Sequence, residues 1–538
     1  MGFFLTLLVG YIILSISLYK VFEKAGVDPK KALIPGVNFV EWCKLIGQPT
    51  WKAILLLVPI VNIFVLTGMS VDLVRSFKKY SFGWAALAVV IPPLAFFILG
   101  MKEEEKYDEP TLLKEKAYFE QLQAAKDAKN ERLFKKLSYA NPYKKSFIRE
   151  WVEAIVFAVF AAAFIRLFLI EAYVIPTPSM EGSLNVGDYL FVSKIHYGLR
   201  LPETVAMIPL LHNRIPGMDR ESYLKTPSLP YKRLPAIQKL GHNDPVVFNF
   251  PDGDSVYVFR DRTWSVGDYR YGAIQEANPH YAQMIKSKRK KLVVRPVDKK
   301  DHYVKRCIGV AGDSLQIIDR QVYINGQPAV NPKHMQFFYL VKSQNGKLNT
   351  SKFADWGISS QDVMNMREPN SWGMWLGADQ VEKLKKLDSG ITIENFDMSL
   401  FSRNPKRLFP HDPKHFPGWT VDNYGPIYIP KKGQTVKISP ESIALYERII
   451  NVYEDNDLEY KDGKIFINGK EANEYTFKMD YYWMMGDNRH NSEDSRVWGF
   501  VPEDHIVGKP LFLFFSTREG QMSKGINWDR IFTSADKR

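Results

Sequence analysis

The sequence predicts membrane α-helices followed by a mainly antiparallel β domain. Three observations carry that reading. Residues 1–171 hold four apolar stretches near the length a bilayer requires, ~20 residues. Beyond Tyr173, short runs of alternating apolar and polar residues are separated by Gly, Pro, Asn and Asp, the pattern of antiparallel strands. With 538 residues, 46 % of them hydrophobic and 14 % aromatic, the chain exceeds one ordinary domain and can build a sizeable core.

The apolar stretches are Phe3–Tyr19, Trp51–Val74, Phe82–Met101 and Trp151–Ile170. The first lacks a basic leader and a small-residue cleavage site, so it reads as an anchor and not a removable signal. Pro59, Pro92 and Pro93 fall inside the second and third, which membrane helices tolerate when neighbours re-satisfy the backbone. Glu153, Arg166 and Glu171 lie near the ends of the fourth, where side chains can reach the interface. Basic residues set the orientation. Lys20, Lys24, Lys30, Lys31 and Lys44 follow the first stretch. Lys126, Lys129, Arg132, Lys135, Lys136, Lys144, Lys145 and Arg149 precede the fourth. Both loops are expected in the cytoplasm, with the N-terminus and everything after Glu171 outside. Lys78 and Lys79 run counter to that pattern. The expected organisation is a membrane region at 1–101 and a charged cytoplasmic linker at 102–150. A fourth membrane helix at 151–171 and an extracytoplasmic β-rich domain at 172–538 follow.

Within that domain, strands are expected at Tyr189–Ser193, Pro245–Phe250, Ser255–Phe259, His302–Val310, Ser314–Ile318 and Leu511–Phe515. Helical periodicity is confined to Gln380–Leu387 and Pro440–Tyr453. Gln321–Gly326 and Lys464–Gly469 are alike, each a strand ending in an Asn-Gly hairpin turn. Three polar stretches read as insertions: 202–241, 262–296 and 332–433. The net charge of +13 suits an anionic membrane surface. No basic stripe with interleaved aromatics points to nucleic acid. Two cysteines, Cys43 and Cys307, make no disulfide framework and no metal cluster, and no cofactor is expected.

Three segments carry candidate chemistry. In Tyr173-Val-Ile-Pro-Thr-Pro-Ser-Met-Glu-Gly182, Pro176 and Pro178 hold Thr177 and Ser179 on a stiff, extended support just past the last apolar stretch. Alone, this reads first as a proline-rich linker leaving a membrane. In Asp301–Asp313, Lys305 sits inside an apolar strand, sharing a face with Tyr303 and Cys307 while Arg306 points the other way. Such a lysine is either paired with an acid or desolvated. Desolvation lowers its pKa and lets the neutral amine take a proton from a serine. The third segment, Met485–Phe500, is dense in turn-forming residues and includes Ser492, Asp494 and Arg496. His490 there reads as a surface-loop histidine.

Pro-x-x-Ser-Met, then Tyr-x-Lys-Arg-x-x-Gly-x-x-Gly-Asp, then Gly-Asp-Asn-Arg-x-x-Ser-x-Asp-Ser-Arg resemble, in order, the motif boxes of bacterial type I signal peptidases. Gly187-Asp188 and Asn243–Phe248 resemble the intermediate boxes. The resemblance implies a Ser–Lys peptidase that removes signal peptides from exported preproteins at the outer face of the cytoplasmic membrane. It implies Ser179 as nucleophile, Lys305 as general base, Thr177 and the Ser179 N–H in the oxyanion hole, and Ser492 orienting the lysine. Asp494 and Arg496 are implied as structural. Thr177 stands where many relatives have serine, and Pro178 where glycine is frequent. The partners implied are preproteins and the lipid bilayer. A catalytically silent scaffold and a Ser–Lys autoprotease are the rivals. The first fits poorly with a complete Ser179–Lys305 set, the second with four apolar stretches. Gly312-Asp-Ser-Leu315 spells another hydrolase signature, without that class's strand–turn–helix context.

Overall fold

The computed structural model describes the chain except residues 1, 58–60, 145–146, 219, 345, 347, 349, 360–361, 388–389, 399–403 and 536–538. Pro59 and Lys145 thus lie outside the described residues, as do the side chains of Arg149 and Glu153. The backbone divides into two units, Met1–Ala161 and Ala162–Arg538.

The first unit is helical. Leu18, Val21, Phe22, Trp42, Phe96 and Leu99 share its core. Trp42 meets Phe96 edge-on at 5.2 Å and donates its indole N–H to Met69 O at 3.2 Å. Lys24, at the end of the helix Gly2–Lys24, donates to Leu99 O at 2.8 Å and Glu105 O at 2.9 Å. Through Leu99 O it serves one of the carbonyls that the helix Pro92–Met101 leaves without intrahelical partners. The third apolar stretch is two helices, Phe82–Val90 and Pro92–Met101, bent by 120°. Pro92 and Pro93 lack the N–H groups that would continue the first helix, and Ile91 before them is driven out of helical geometry, to φ −138 and ψ 71. The second stretch is a 3₁₀ segment, Thr50–Leu57, and a helix, Val61–Arg75. Among the described residues, Glu150–Phe168 is long and apolar enough to cross a membrane, and the bent pair is a second candidate if it counts as one span. Trp151, Ile155 and Phe157 of the former are exposed, the surface expected of a helix in lipid. Two helices form within the charged stretch 102–150, Thr111–Asp127 and Glu131–Tyr139. Asn130 caps the second through Leu133 N–H at 3.1 Å.

The second unit is built on a seven-stranded sheet. Its strands are β1 (Ile170–Val174), β2 (Asp188–Ser193), β3 (Pro245–Asn249), β4 (His302–Gly309), β5 (Tyr481–Met485), β6 (Val501–Pro502) and β7 (Ile506–Ser516). They lie in the order β1-β2-β7-β3-β4-β5-β6, each neighbouring pair antiparallel. Every expected strand is present. Ile175, Met180, Leu184, Leu190, Val192 and Val247 form one core cluster of the sheet. Cys307 is buried in another with Val246, Phe248 and Trp498, as expected of a small apolar residue. The two Asn-Gly sequences are both hairpin turns with positive φ at each residue, Asn325 and Gly326 in one and Asn468 and Gly469 in the other.

Two expectations change. Gln380–Leu387 lies in a helix, Ala378–Leu387, whereas Pro440–Tyr453 breaks into a 3₁₀ turn at Ile443–Leu445 and a π turn at Ile449–Tyr453. Tyr446, Ile449 and Ile450 are still buried, so the apolar pattern is met without a regular helix. The stretch 332–433, expected as a polar insertion, builds its own four-stranded sheet from Gln336–Ser343, Val363–Asn365, Ser371–Gly377 and Ile391–Asn395. Val341, Met374, Leu376, Leu384 and Ile391 give it a separate core.

Candidate active site

The backbone leaves β1 through Ile175, which is buried, and passes the two prolines. Thr177 is extended, at φ −130 and ψ 152, and Pro178–Met180 form one 3₁₀ turn. Ile175 and Met180 sit in the same core cluster and pin the segment from both sides of Ser179. Ser179 is 8 % exposed. Its carbonyl accepts from Asn488 N–H at 3.2 Å.

Lys305 lies on β4 opposite Val246 of β3 and is 5 % exposed. Its Nζ donates to Ser179 Oγ at 2.7 Å and to Val304 O at 3.1 Å, and it stands 5.6 Å from the Tyr303 ring centroid. Among the described residues it has no ion pair within 4 Å, so it is desolvated and not paired. Burial pulls its pKa from 10.5 down to about 8, against a weaker opposing pull from Asp494, Glu493 and Asp487. A group poised there is ready to exchange a proton with the serine it touches.

The loop after β5 closes the site. An added Cβ on Gly486 would fall 2.4 Å from Ser179 O and 2.3 Å from Ser492 Oγ, so only glycine lets these two strands of backbone meet. The Ser492 hydroxyl is buried and makes no hydrogen bond among the described residues. The structure therefore sets Ser492 beside Gly486, without a bond to Lys305. Thr177 is exposed, and its side chain caps nothing in the following turn. Asp494 is fully buried and takes both Arg496 Nε at 2.9 Å and Nη2 at 2.7 Å, a contact that sequence spacing left open. It also accepts Gly486 N–H at 3.1 Å, so this pair holds the loop that reaches Ser179.

Other residues matter that sequence reasoning did not assign. Asp487 takes Arg306 Nε at 2.8 Å and Nη2 at 2.5 Å. An arginine on the face of a strand opposite an apolar one signals a buried acid partner, but not which acid. Asp188, within an intermediate motif, takes Arg530 Nε at 2.9 Å and Nη2 at 2.5 Å and Ser516 Oγ at 2.7 Å, tying β2 to the C-terminal segment. His490 is not a surface histidine. Its side chain is buried, Nε2 lies 2.7 Å from Asp422 Oδ1, and Nδ1 accepts Phe338 N–H at 3.1 Å. Ser314 of the second hydrolase-like signature opens a strand, and Asp313 before it accepts Val310 N–H at 2.9 Å, a turn-forming role.

Comparison with known proteins matches residues 148–363 and 433–515, more than half of the chain, to the family described as signal peptidase, peptidase S26. Residues 30–110 match a family of unknown function, DUF5684. A signal peptidase I of Helicobacter pylori is 23 % identical over 402 residues, covering 73 % of this chain and 93 % of that protein. The signal peptidase I of Haemophilus influenzae is 37 % identical over 78 residues, 14 % of this chain and 22 % of that protein. The one from Aquifex aeolicus is 58 % identical over 36 residues, 7 % of this chain and 14 % of that protein. A β-domain carrying a buried serine and lysine in contact, with these matches, is that of a serine peptidase. The chain belongs to the signal peptidase family, peptidase S26, and its enzymatic type is signal peptidase I.

Proposed function

We propose that this chain cleaves signal peptides from exported preproteins with Ser179 as nucleophile and Lys305 as general base. The observation that carries the reading is the 2.7 Å contact between Lys305 Nζ and Ser179 Oγ, at a lysine with no carboxylate within 4 Å among the described residues. Neutral Lys305 takes the Ser179 hydroxyl proton as Oγ bonds to the scissile carbonyl carbon. The oxyanion so formed is received by the Ser179 N–H and the Thr177 hydroxyl, once its rotamer turns toward the substrate. Collapse breaks the C–N bond, and the Lys305 ammonium gives its proton to the leaving amine. Water, deprotonated by Lys305, then hydrolyses the acyl-enzyme ester and frees Ser179. Ser492 orients the amine when the loop tightens on substrate, and Asp494 with Arg496 keeps that loop in place.

The proposed setting is a bacterial cytoplasmic membrane, with 1–101 and 151–171 in the bilayer, 102–150 on the cytoplasmic side and 172–538 outside. The exposed apolar helix Glu150–Phe168, only a few residues before Ser179, supports catalysis close to the membrane surface. The test is incubation of the purified full chain, and of Ser179→Ala, with a model preprotein, followed by N-terminal sequencing. Cleavage at the signal–mature junction by the first protein alone is expected. Equal cleavage by both would end the assignment of Ser179.

A further inference from the structure

A cavity of about 400 Å³ opens beside the loop that reaches Ser179, lined by Phe250, Asp252, Asp268, Arg407, Arg448, Glu493 and Trp498 among others. Its lining carries five carboxylates (Asp252, Asp254, Asp268, Glu447, Glu493) against three arginines (Arg270, Arg407, Arg448). Arg448 is committed to Asp252, at 3.2 Å, and to Asp254. Glu493 accepts a hydrogen bond from Arg262 at 3.2 Å and lies 3.9 Å from Arg407, whose nearer partner is Glu276 at 3.1 Å. Asp268 has no ion pair within 4 Å among the described residues, and one of its oxygens accepts the Ser265 N–H at 2.8 Å. Trp498 is 6 % exposed, and its indole N–H has no acceptor among the described residues. The cavity thus offers carboxylate charge beside the largely buried Trp498 ring.

Its position ties it to the chemistry. Glu493 directly follows Ser492. Trp498 packs on Tyr303 at 5.5 Å between centroids, and the Tyr303 ring stands 5.6 Å from Lys305 Nζ. An extended peptide advances ~3.3 Å per residue, so a chain cleaved at Ser179 reaches the cavity within a few positions. The segment of a signal peptide just before the scissile bond adjoins its apolar core, whereas its charged end lies on the far side of that core. A charged side chain close to the cut therefore belongs to the mature segment. Resting on the signal-peptide reading above, we propose that the cavity takes up a lysine or arginine side chain from the first few mature residues of the substrate. Glu493 and Asp268 receive the cation. Arg407, from a segment between the two family-matched stretches, competes for Glu493 and tempers the selectivity.

The test uses preproteins identical except for a single Lys or Gln at each of mature positions two to six. For the full wild-type chain, kcat/KM at the best position is expected to favour Lys about five-fold, the scale of a partly exposed ion pair. In Glu493→Gln the Lys/Gln ratio should fall toward one, and in Arg407→Gln it should rise. The two side chains are 37 % and 34 % exposed, so both variants should fold. Opposite signs separate recognition from general damage, and a ratio cancels any change in Lys305. A wild-type ratio of one at all positions, or one that both variants leave unchanged, overturns the proposal. Failure to cleave either substrate at any position would instead strike the signal-peptidase reading itself, and this proposal with it.

Discussion

Arg306 and Asp487 form a buried, two-pronged ion pair on the face of β4 opposite Lys305, with N–O distances of 2.8 and 2.5 Å. Arg306 also donates to Asn243 O at 2.7 Å, so one side chain joins three segments. Because alternate residues of a strand face opposite ways, fixing Arg306 fixes the rotation of β4 and hence where Lys305 points. Asp487→Ala would leave a guanidinium buried without its acid, a loss of about 3–5 kcal/mol. Urea unfolding at neutral pH should register it, together with a large fall in kcat. A change below about 1 kcal/mol, the range of exposed pairs, would show that the pair is not a clamp.

As the proposed base, Lys305 would set the pH dependence, and its burial carries a stability cost. Its folded pKa is about 8 against 10.5 when solvated. Below about 8 both folded and unfolded chains bind the proton, and the folded state bears the full cost of a buried cation. Between about 8 and 10.5 only the unfolded chain binds it, so stability rises with pH through that window. Lys305→Met should therefore be inactive yet more stable at pH 7 by about 3 kcal/mol, at 1.36 per unit. In the wild type, kcat/KM should rise with pH through about 8 and then level. A profile that turns near the histidine range would point to a different base. Lys305→Arg should be inactive as well, since a guanidinium keeps its proton.

Gly486 is the position where one methyl group should do most harm to activity. An alanine Cβ would overlap Ser179 O and Ser492 Oγ, both polar atoms on opposing walls. Relief requires moving the Ser179 backbone, and displacement by about 1 Å from attack geometry costs on the order of 100-fold in rate. Steady-state kinetics on Gly486→Ala should show that fall mainly in kcat. Ser492→Ala, which removes a hydroxyl but no backbone contact, should cost about 1–3 kcal/mol at most. Near-normal turnover by Gly486→Ala would mean that the loop yields freely there.

The proposed membrane arrangement is tested by reporters. A fusion within 126–149 should report the cytoplasm and one after Arg538 the exterior. Both on the same side would refute the orientation drawn from Lys and Arg in the loops.

Much of the β domain was legible because its signals are local. Alternation along His302–Gly309 is a property of neighbouring residues, and it already put Lys305 and Arg306 on opposite faces. The prolines around Thr177 and Ser179 restrict the backbone wherever they occur, and an Asn-Gly pair favours its turn with little outside help. By itself the sequence also supplied the ordered motifs that led to Ser179 and Lys305. It did not decide whether Lys305 was paired or desolvated, because that depends on which groups the order of strands brings near it. Ser179 and Lys305 are 126 positions apart, and Arg306 and Asp487 are 181 apart. The pairing of β4 with β5 decides the second contact, and the loop after β5, bonded to the Ser179 carbonyl through Asn488, holds the segment that makes the first. The burial of His490, the separate core within 332–433 and the closeness of Gly486 to Ser179 arise in the same way. Each follows from which surfaces the folded chain presses together, and no stretch of a few residues specifies that.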